Sequence, residues 1–183
     1  MSIWKFLGQE KEKLLGEKES RKPSAETETV RKIVHTLDGM DLEQARYVAA
    51  FAYVLSRVAR ADMNISDSET GEMERLVQEE GGLSEEQAIL VVQMAKTQNR
   101  LFGGTEDFLV TREFNKIATR EQKLALLTCL YAVSAADQSV STVEDNEISQ
   151  TARELLLSHK DVVAARSQYR KYLAVLKKPA ADS

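Results

Sequence analysis

The chain has 183 residues, a length that suits one domain with at most a tail. Hydrophobic residues make up 43% of it and charged residues 30%, with only 8 Gly and 2 Pro, which excludes collagen-like, mucin-like and wholly disordered chains and disfavours a β-sandwich. The single cysteine, Cys129, excludes a disulfide-stapled scaffold and points to a reducing, cytoplasmic setting. No apolar stretch approaches the roughly 18 residues of a membrane span, and Met1 to Leu7 is too short for the apolar part of a signal peptide.

The net charge of −4 conceals a gradient: residues 1–23 sum to +2, residues 24–159 to −10, residues 160–178 to +5 and the last five to −1. A nucleic-acid binder needs a basic face across its folded body, and only the last segment is basic here, so nucleic acid is not an expected partner. Ile3-Trp4-Lys5-Phe6-Leu7 is apolar and aromatic, and the charged stretch after it is broken by Pro23. Residues 1–29 therefore read as an amphipathic tip on a mobile tether, with Trp4 and Phe6 as candidate partner-binding residues for a protein or, peripherally, a membrane surface.

From Val30 onward the apolar residues recur at helical spacing, as in Ala45, Val48, Ala49, Ala52, Leu55 and Val58, and no run alternates with the period of a strand. Helix starts are marked by capping boxes, in which a Ser or Thr accepts a bond from the amide three residues on and an acid or amide reaches back. Ser66 with Glu69, Ser84 with Gln87, Thr119 with Gln122 and Ser141 with Glu144 have this form, and Ser158 with Asp161 is a variant. Gly81-Gly82 and Gly103-Gly104 read as stops. The predicted helices span 30–38, 41–60, 66–80, 84–102, 105–117, 120–136, 141–157 and 159–177, giving an all-α compact helical bundle over 30–178 and a disordered tail at 179–183.

A shift of 75 positions lays Ala50, Leu55, Val58, Ala61, Asp62, Ser66, Glu69, Glu72 and Glu79 on identical residues, nine identities where average composition gives about two. The bundle is thus expected to be built from a duplicated helix-loop-helix unit. Each copy reads Ala-Asp-x-x-(Ile/Val)-Ser-x-x-Glu-x-x-Glu, with one acid at the end of a helix and two in the opening turns of the next. Asp62, Glu69 and Glu72 form one set, and Asp137, Glu144 and Glu147 the other. Three acids drawn together repel, and a hard divalent cation such as Ca2+, Mg2+ or Mn2+ relieves the repulsion with oxygen ligands. The competing reading is structural: Glu69 and Glu144 sit in capping-box positions, first-turn acids are favoured by the helix dipole by about 0.3–1 kcal/mol, and a loop Asp bonds nearby amides. An EF-hand is excluded, because its glycine is missing and Met73 or Ile148 stands where its final bidentate Glu belongs.

At these residues the chain resembles the TerB-like family, the tellurite-resistance-associated helical domain also found ahead of the J-domain in DjlA-type co-chaperones. Ala61-Asp62 to Glu72 and Ala136-Asp137 to Glu147 look like the family's two acidic signatures, and the resemblance covers about residues 42–176. It implies an all-helical bundle with acids near the helix junctions, association with a divalent cation, and a role in stress response or as a module in larger assemblies. The chain departs from the pattern where a glycine commonly follows the Asp, having Met63-Asn64 and Gln138-Ser139. No His-Pro-Asp motif occurs, so the chain by itself offers no J-domain activity.

Other chemistry is thinly supported. His35 and His159 have no Cys or His companion at zinc-ligand spacing and read as surface residues, while Cys129 lies in an apolar stretch and reads as core. Phosphate-cradling glycine loops are missing, as is the Glu-x-x-His pattern of di-iron bundles, so a metal-dependent hydrolase is the least favoured of three functions. The first is a non-enzymatic, cation-responsive binding module. The second is a metal-independent interaction or scaffold domain that uses the aromatic tip or the basic last helix.

Overall fold

The apolar run that begins at Ala45 becomes the central helix of the protein. A computed structural model describes residues 25–59, 67–97 and 107–176, and in it every side chain from Val48 through Val58 is buried, Arg57 among them. A helix apolar on all sides must be enclosed on all sides. This helix, α2 (Leu42–Ala59), is accordingly surrounded by four others. The remaining helices are α1 (Ala25–Gly39), α3 (Asp67–Gly81), α4 (Glu85–Lys96), α5 (Asp107–Ile117), α6 (Arg120–Ser134), α7 (Thr142–Glu154) and α8 (His159–Gln168). Among the described residues everything else is turn, loop, two short 3-10 turns and one isolated parallel bridge, so the fold is all α.

The predicted caps form where their residues are described. Ser84, Thr119, Ser141 and Ser158 each accept a bond from the amide three residues on, and Gln87, Gln122, Glu144 and Asp161 each bond back to the cap amide. Ser66 and Gly103-Gly104 lie outside the described residues. Asp41 caps α2 by accepting from the amides of Glu43 and Gln44 at 3.1 and 3.0 Å.

Three boundaries differ from the sequence reading by five residues or more. Helix α1 starts at Ala25 rather than residue 30, taking in Glu28, which the sequence reading placed in the tether. Helix α4 stops at Lys96, six residues short of the predicted end, where Thr97 turns its hydroxyl back onto the Gln93 carbonyl at 2.8 Å. The last helix, predicted to reach 177, ends at Gln168 and gives way to 3-10 turns at Arg170–Tyr172 and Ala174–Leu176. A tertiary bond ends it: Val140 donates to the Tyr172 carbonyl at 2.8 Å and accepts from the Ala174 amide at 2.9 Å, which buries Val140 and Leu173 together.

The order of elements recurs along the chain. Helix α2 ends at Ala59 and α3 begins at Asp67; 75 positions on, α6 ends at Ser134 and α7 begins at Thr142. Gly82 and Leu156 both take left-handed conformations, φ +67° and +59°, and each stands two residues before an N-cap serine, Ser84 or Ser158. Packing is reciprocal: α3 lies on α6 and α7 on α2, while α4 lies on α2 and α8 on α6. Between them α2, α5 and α6 carry much of the core, with Phe51, Tyr53, Phe114, Leu126, Leu127 and Tyr131 fully enclosed. Rings of Tyr47, Phe51 and Phe114 meet with centroids 5.4–6.4 Å apart.

Candidate functional site at the acidic helix junctions

The second junction, where α6 turns into α7, is described in full. Chain direction reverses at Ala135–Val140, and Gln138 takes φ +65° to make the turn. That is the conformation glycine adopts without cost, which gives a physical reason for glycine to be common beside the Asp. Asp137 closes the turn by accepting from the Ser139 amide at 2.9 Å. Glu144, 9% exposed, accepts from the Ser141 amide at 2.8 Å and completes the capping box.

Glu147 faces elsewhere. Its carboxylate accepts from Arg57 of α2 at 2.8 and 3.0 Å, and one turn pair further along α7 Glu154 accepts from the same guanidinium at 2.7 Å. Thr111 of α5 is a third acceptor for Arg57, at 2.9 Å. The arginine side chain is 3% exposed, against 32% for Glu147 and 18% for Glu154. A guanidinium withdrawn from water this far is tolerable only because its planar fork is filled by carboxylates and a hydroxyl. Burial alone pushes the Glu154 carboxyl up, but bonds from Arg57 and Gln150 outweigh it and hold the group below its ordinary range.

Asp145, between the two predicted acids, also points inward to protein partners. It accepts from Arg166 Nε of α8 at 2.9 Å and from the Tyr131 hydroxyl of α6 at 3.1 Å, joining three helices. Burial, and then the charge of Asp145, push the Tyr131 hydroxyl upward.

At the first junction Asp62 lies outside the described residues, as does the side chain of Glu69, although α3 carries its backbone. Glu72 is described and half exposed; it accepts from Arg75 Nη2 at 2.6 Å and Nε at 3.0 Å. The Arg75 bond holds its carboxyl below the usual range. Arg75 also donates to Glu79, the counterpart of Glu154. Helices α3 and α7 therefore each place two acids seven residues apart around one arginine. In α7 that arginine is buried and comes from α2; in α3 it comes from the same helix and stays in solvent.

The six predicted ligands are thus not drawn together where they can be followed. Among the described residues no three His, Cys, Asp or Glu side chains gather as a set able to hold a metal ion. In the second set the reason is visible: Asp137 and Glu144 stay at the turn while Glu147 turns to α2. Trp4 and Phe6 lie outside the described residues. His35 and His159 are exposed and Cys129 is wholly buried, where burial pushes its thiol up. No helix among the described residues is long and apolar enough to cross a membrane.

Sequence reasoning passed over Arg57 as a cluster centre. Its signal was present: an arginine one residue before Val58 at the end of an otherwise apolar helix has nowhere polar to go unless acids come to it. Glu79 and Glu154, identical in the repeat, marked where those acids would be.

Comparison with known proteins agrees with this architecture. The family model described as Tellurite resistance protein TerB matches residues 48–167, from the second turn of α2 to the end of α8. No match was found among curated proteins or solved structures. The chain belongs to the TerB family.

Proposed function

We propose that this TerB-family chain is a non-enzymatic, cytoplasmic binding module whose response to a divalent cation is seated at the first acidic junction, on Asp62, Glu69 and Glu72. The observation that carries this reading is the asymmetry between the two carboxylate pairs. Glu147 and Glu154 are both committed to a buried arginine, so a cation that draws Glu147 away takes one of two carboxylates from a desolvated guanidinium. Glu72 and Glu79 share an exposed arginine of their own helix, where water screens the pairs, so a cation can take Glu72 at little cost. Asp62 and Glu69 are assigned by the repeat pattern alone. In this reading Asp137, Glu144 and Glu147 serve the second junction as structural groups.

A cation bridging the end of α2 and the first turns of α3 fixes the angle between them, and that angle is what a protein partner would read. The family description as a tellurite resistance protein fits a stress-response role for such a module. Thermal unfolding of the whole chain, in EDTA and in millimolar Ca2+, Mg2+ or Mn2+, tests the reading. A cation at 100 times its dissociation constant adds about 2.7 kcal/mol to the native state. The rise is expected to vanish in Asp62→Asn and Glu72→Gln and to persist in Asp137→Asn. No rise with any of the three cations refutes the proposal.

A further inference from the structure

Leu156 stands two residues before the Ser158 cap, as Gly82 stands before Ser84, and it is in the wrong conformation for a leucine. At φ +59° it carries strain that glycine escapes, and its side chain is 79% exposed, so no packing offsets that strain. It opens a surface that continues along α8. Lys160, Val163 and Ser167 follow at spacings of three and four, one exposed stripe of the helix, with Val163 49% exposed. Ser167 in turn borders a shallow concavity of about 600 Å3 lined by Gln168, Arg170, Lys171 and Leu176, the last 50% exposed.

The charge of this surface is one-sided. Residues 153–176 contain five Lys or Arg, of which Arg166 is paired with Asp145, and two acids, each turned to an arginine from another helix. Glu154 pairs with Arg57; Asp161 pairs with Arg120, whose bond, with those of Ser158, holds its carboxyl down at about 2. Among the described residues no acid pairs with Lys160, Arg170 or Lys171, and Lys171 lies over the Tyr172 ring at 4.6 Å.

We infer that the α8 face, from Leu156 through Lys160 and Val163 to Arg170, Lys171 and Leu176, is a docking surface for an anionic lipid bilayer. Nucleic acid phosphates match the cations but have no use for exposed aliphatic side chains. An acidic peptide helix needs an apolar groove, whereas the concavity here is lined mainly by Ser167, Gln168, Arg170 and Lys171, and the aliphatic Leu156 and Val163 lie exposed outside it. A bilayer surface takes both: the aliphatic groups enter the headgroup boundary while the cations meet lipid phosphates, each worth about fivefold in partitioning. The inference goes beyond the cation reading and is independent of it, so its test is run in EDTA.

The experiment is co-sedimentation of the whole chain with vesicles of phosphatidylglycerol and phosphatidylcholine, against phosphatidylcholine alone. Binding is expected only to the anionic vesicles. Leu156→Gly separates docking from folding: relief of the left-handed strain leaves thermal stability equal or higher, while partitioning falls roughly tenfold through lost apolar burial. Lys160→Gln and Lys171→Gln are each expected to lose about fivefold. Equal sedimentation with neutral vesicles overturns the inference, as does Leu156→Gly binding like the parent. Loss of binding in Trp4→Ala/Phe6→Ala with Leu156→Gly unaffected also overturns it, and so does capture by polyglutamate without capture by vesicles.

Discussion

Replacing Arg57 with methionine keeps most of the volume of the side chain and removes its charge. Two carboxylates on α7 and the Thr111 hydroxyl on α5 then lose their common donor. Breaking a buried ion pair from one side costs about 3–5 kcal/mol. Glu147 and Glu154 keep 32% and 18% of their side-chain surface, so water compensates them in part and the low end applies. The expected loss is about 3 kcal/mol, a large share of the 5–15 kcal/mol typical of a domain, and it lowers Tm by about 6–12 °C.

The pH dependence of that loss distinguishes a stranded charge from a cavity. In the parent the Glu154 carboxyl is held below its unfolded value, so the stability it contributes is present above about pH 4.3 and disappears as pH falls through the folded value. Without Arg57 the burial that pushes the group up is unopposed, and protonation then relieves the variant. Urea unfolding of parent and variant from neutral pH down to about pH 4 should therefore show the gap narrowing with acid. Adding Glu147→Gln and Glu154→Gln to the variant should recover part of the loss. A gap below about 1 kcal/mol at neutral pH, or one that does not change with pH, refutes the argument that Arg57 is the buried centre of this cluster.

Two further substitutions test the backbone. Gln138→Gly places the residue that suits φ +65° in the second junction and should raise the urea midpoint by the equivalent of about 1 kcal/mol; an unchanged or lower midpoint argues against strain there. Gly81→Ala puts a Cβ 2.9 Å from Cζ of Phe51, a fully buried ring held by Tyr47 and Phe114, and the resulting overpacking of about 1–3 kcal/mol should exceed the gain of alanine in a helix. A more stable Gly81→Ala protein contradicts that packing.

Features set within one turn of helix were legible in the sequence. Ser84, Thr119, Ser141 and Ser158 announce their caps because donor and acceptor lie three residues apart, and no distant group need be known. The buried stripe of α2 was legible for the same reason. What the chain ends of the helices do was less so: nothing local distinguishes Gln168 as a stop, since the bond that ends α8 comes from Val140, far back in the sequence. The candidate site divides along the same line. Glu144 was read both as a cap and as a ligand, and the cap is what its bonds show; Glu147 matches Glu72 in the sequence, yet they differ in the arginine each meets. Repetition of sequence preserved the acids, while the partner position was not preserved, Ala132 standing where Arg57 stands in the first copy.

The bridge between Val140 and Leu173 has a consequence for how the protein is made. During synthesis, α1 to α4 can leave the ribosome and pack α4 against α2 and α3 while the rest of the chain is still being made. The turn that carries Asp137 cannot close in this way. Its carbonyl and amide at Val140 stay unmatched until residues 172–174 emerge, more than thirty positions later. Nascent chains halted before Leu173 should therefore expose the α6–α7 turn to proteases while α2 and α4 are already resistant, so that the elements before α6 are completed ahead of that turn.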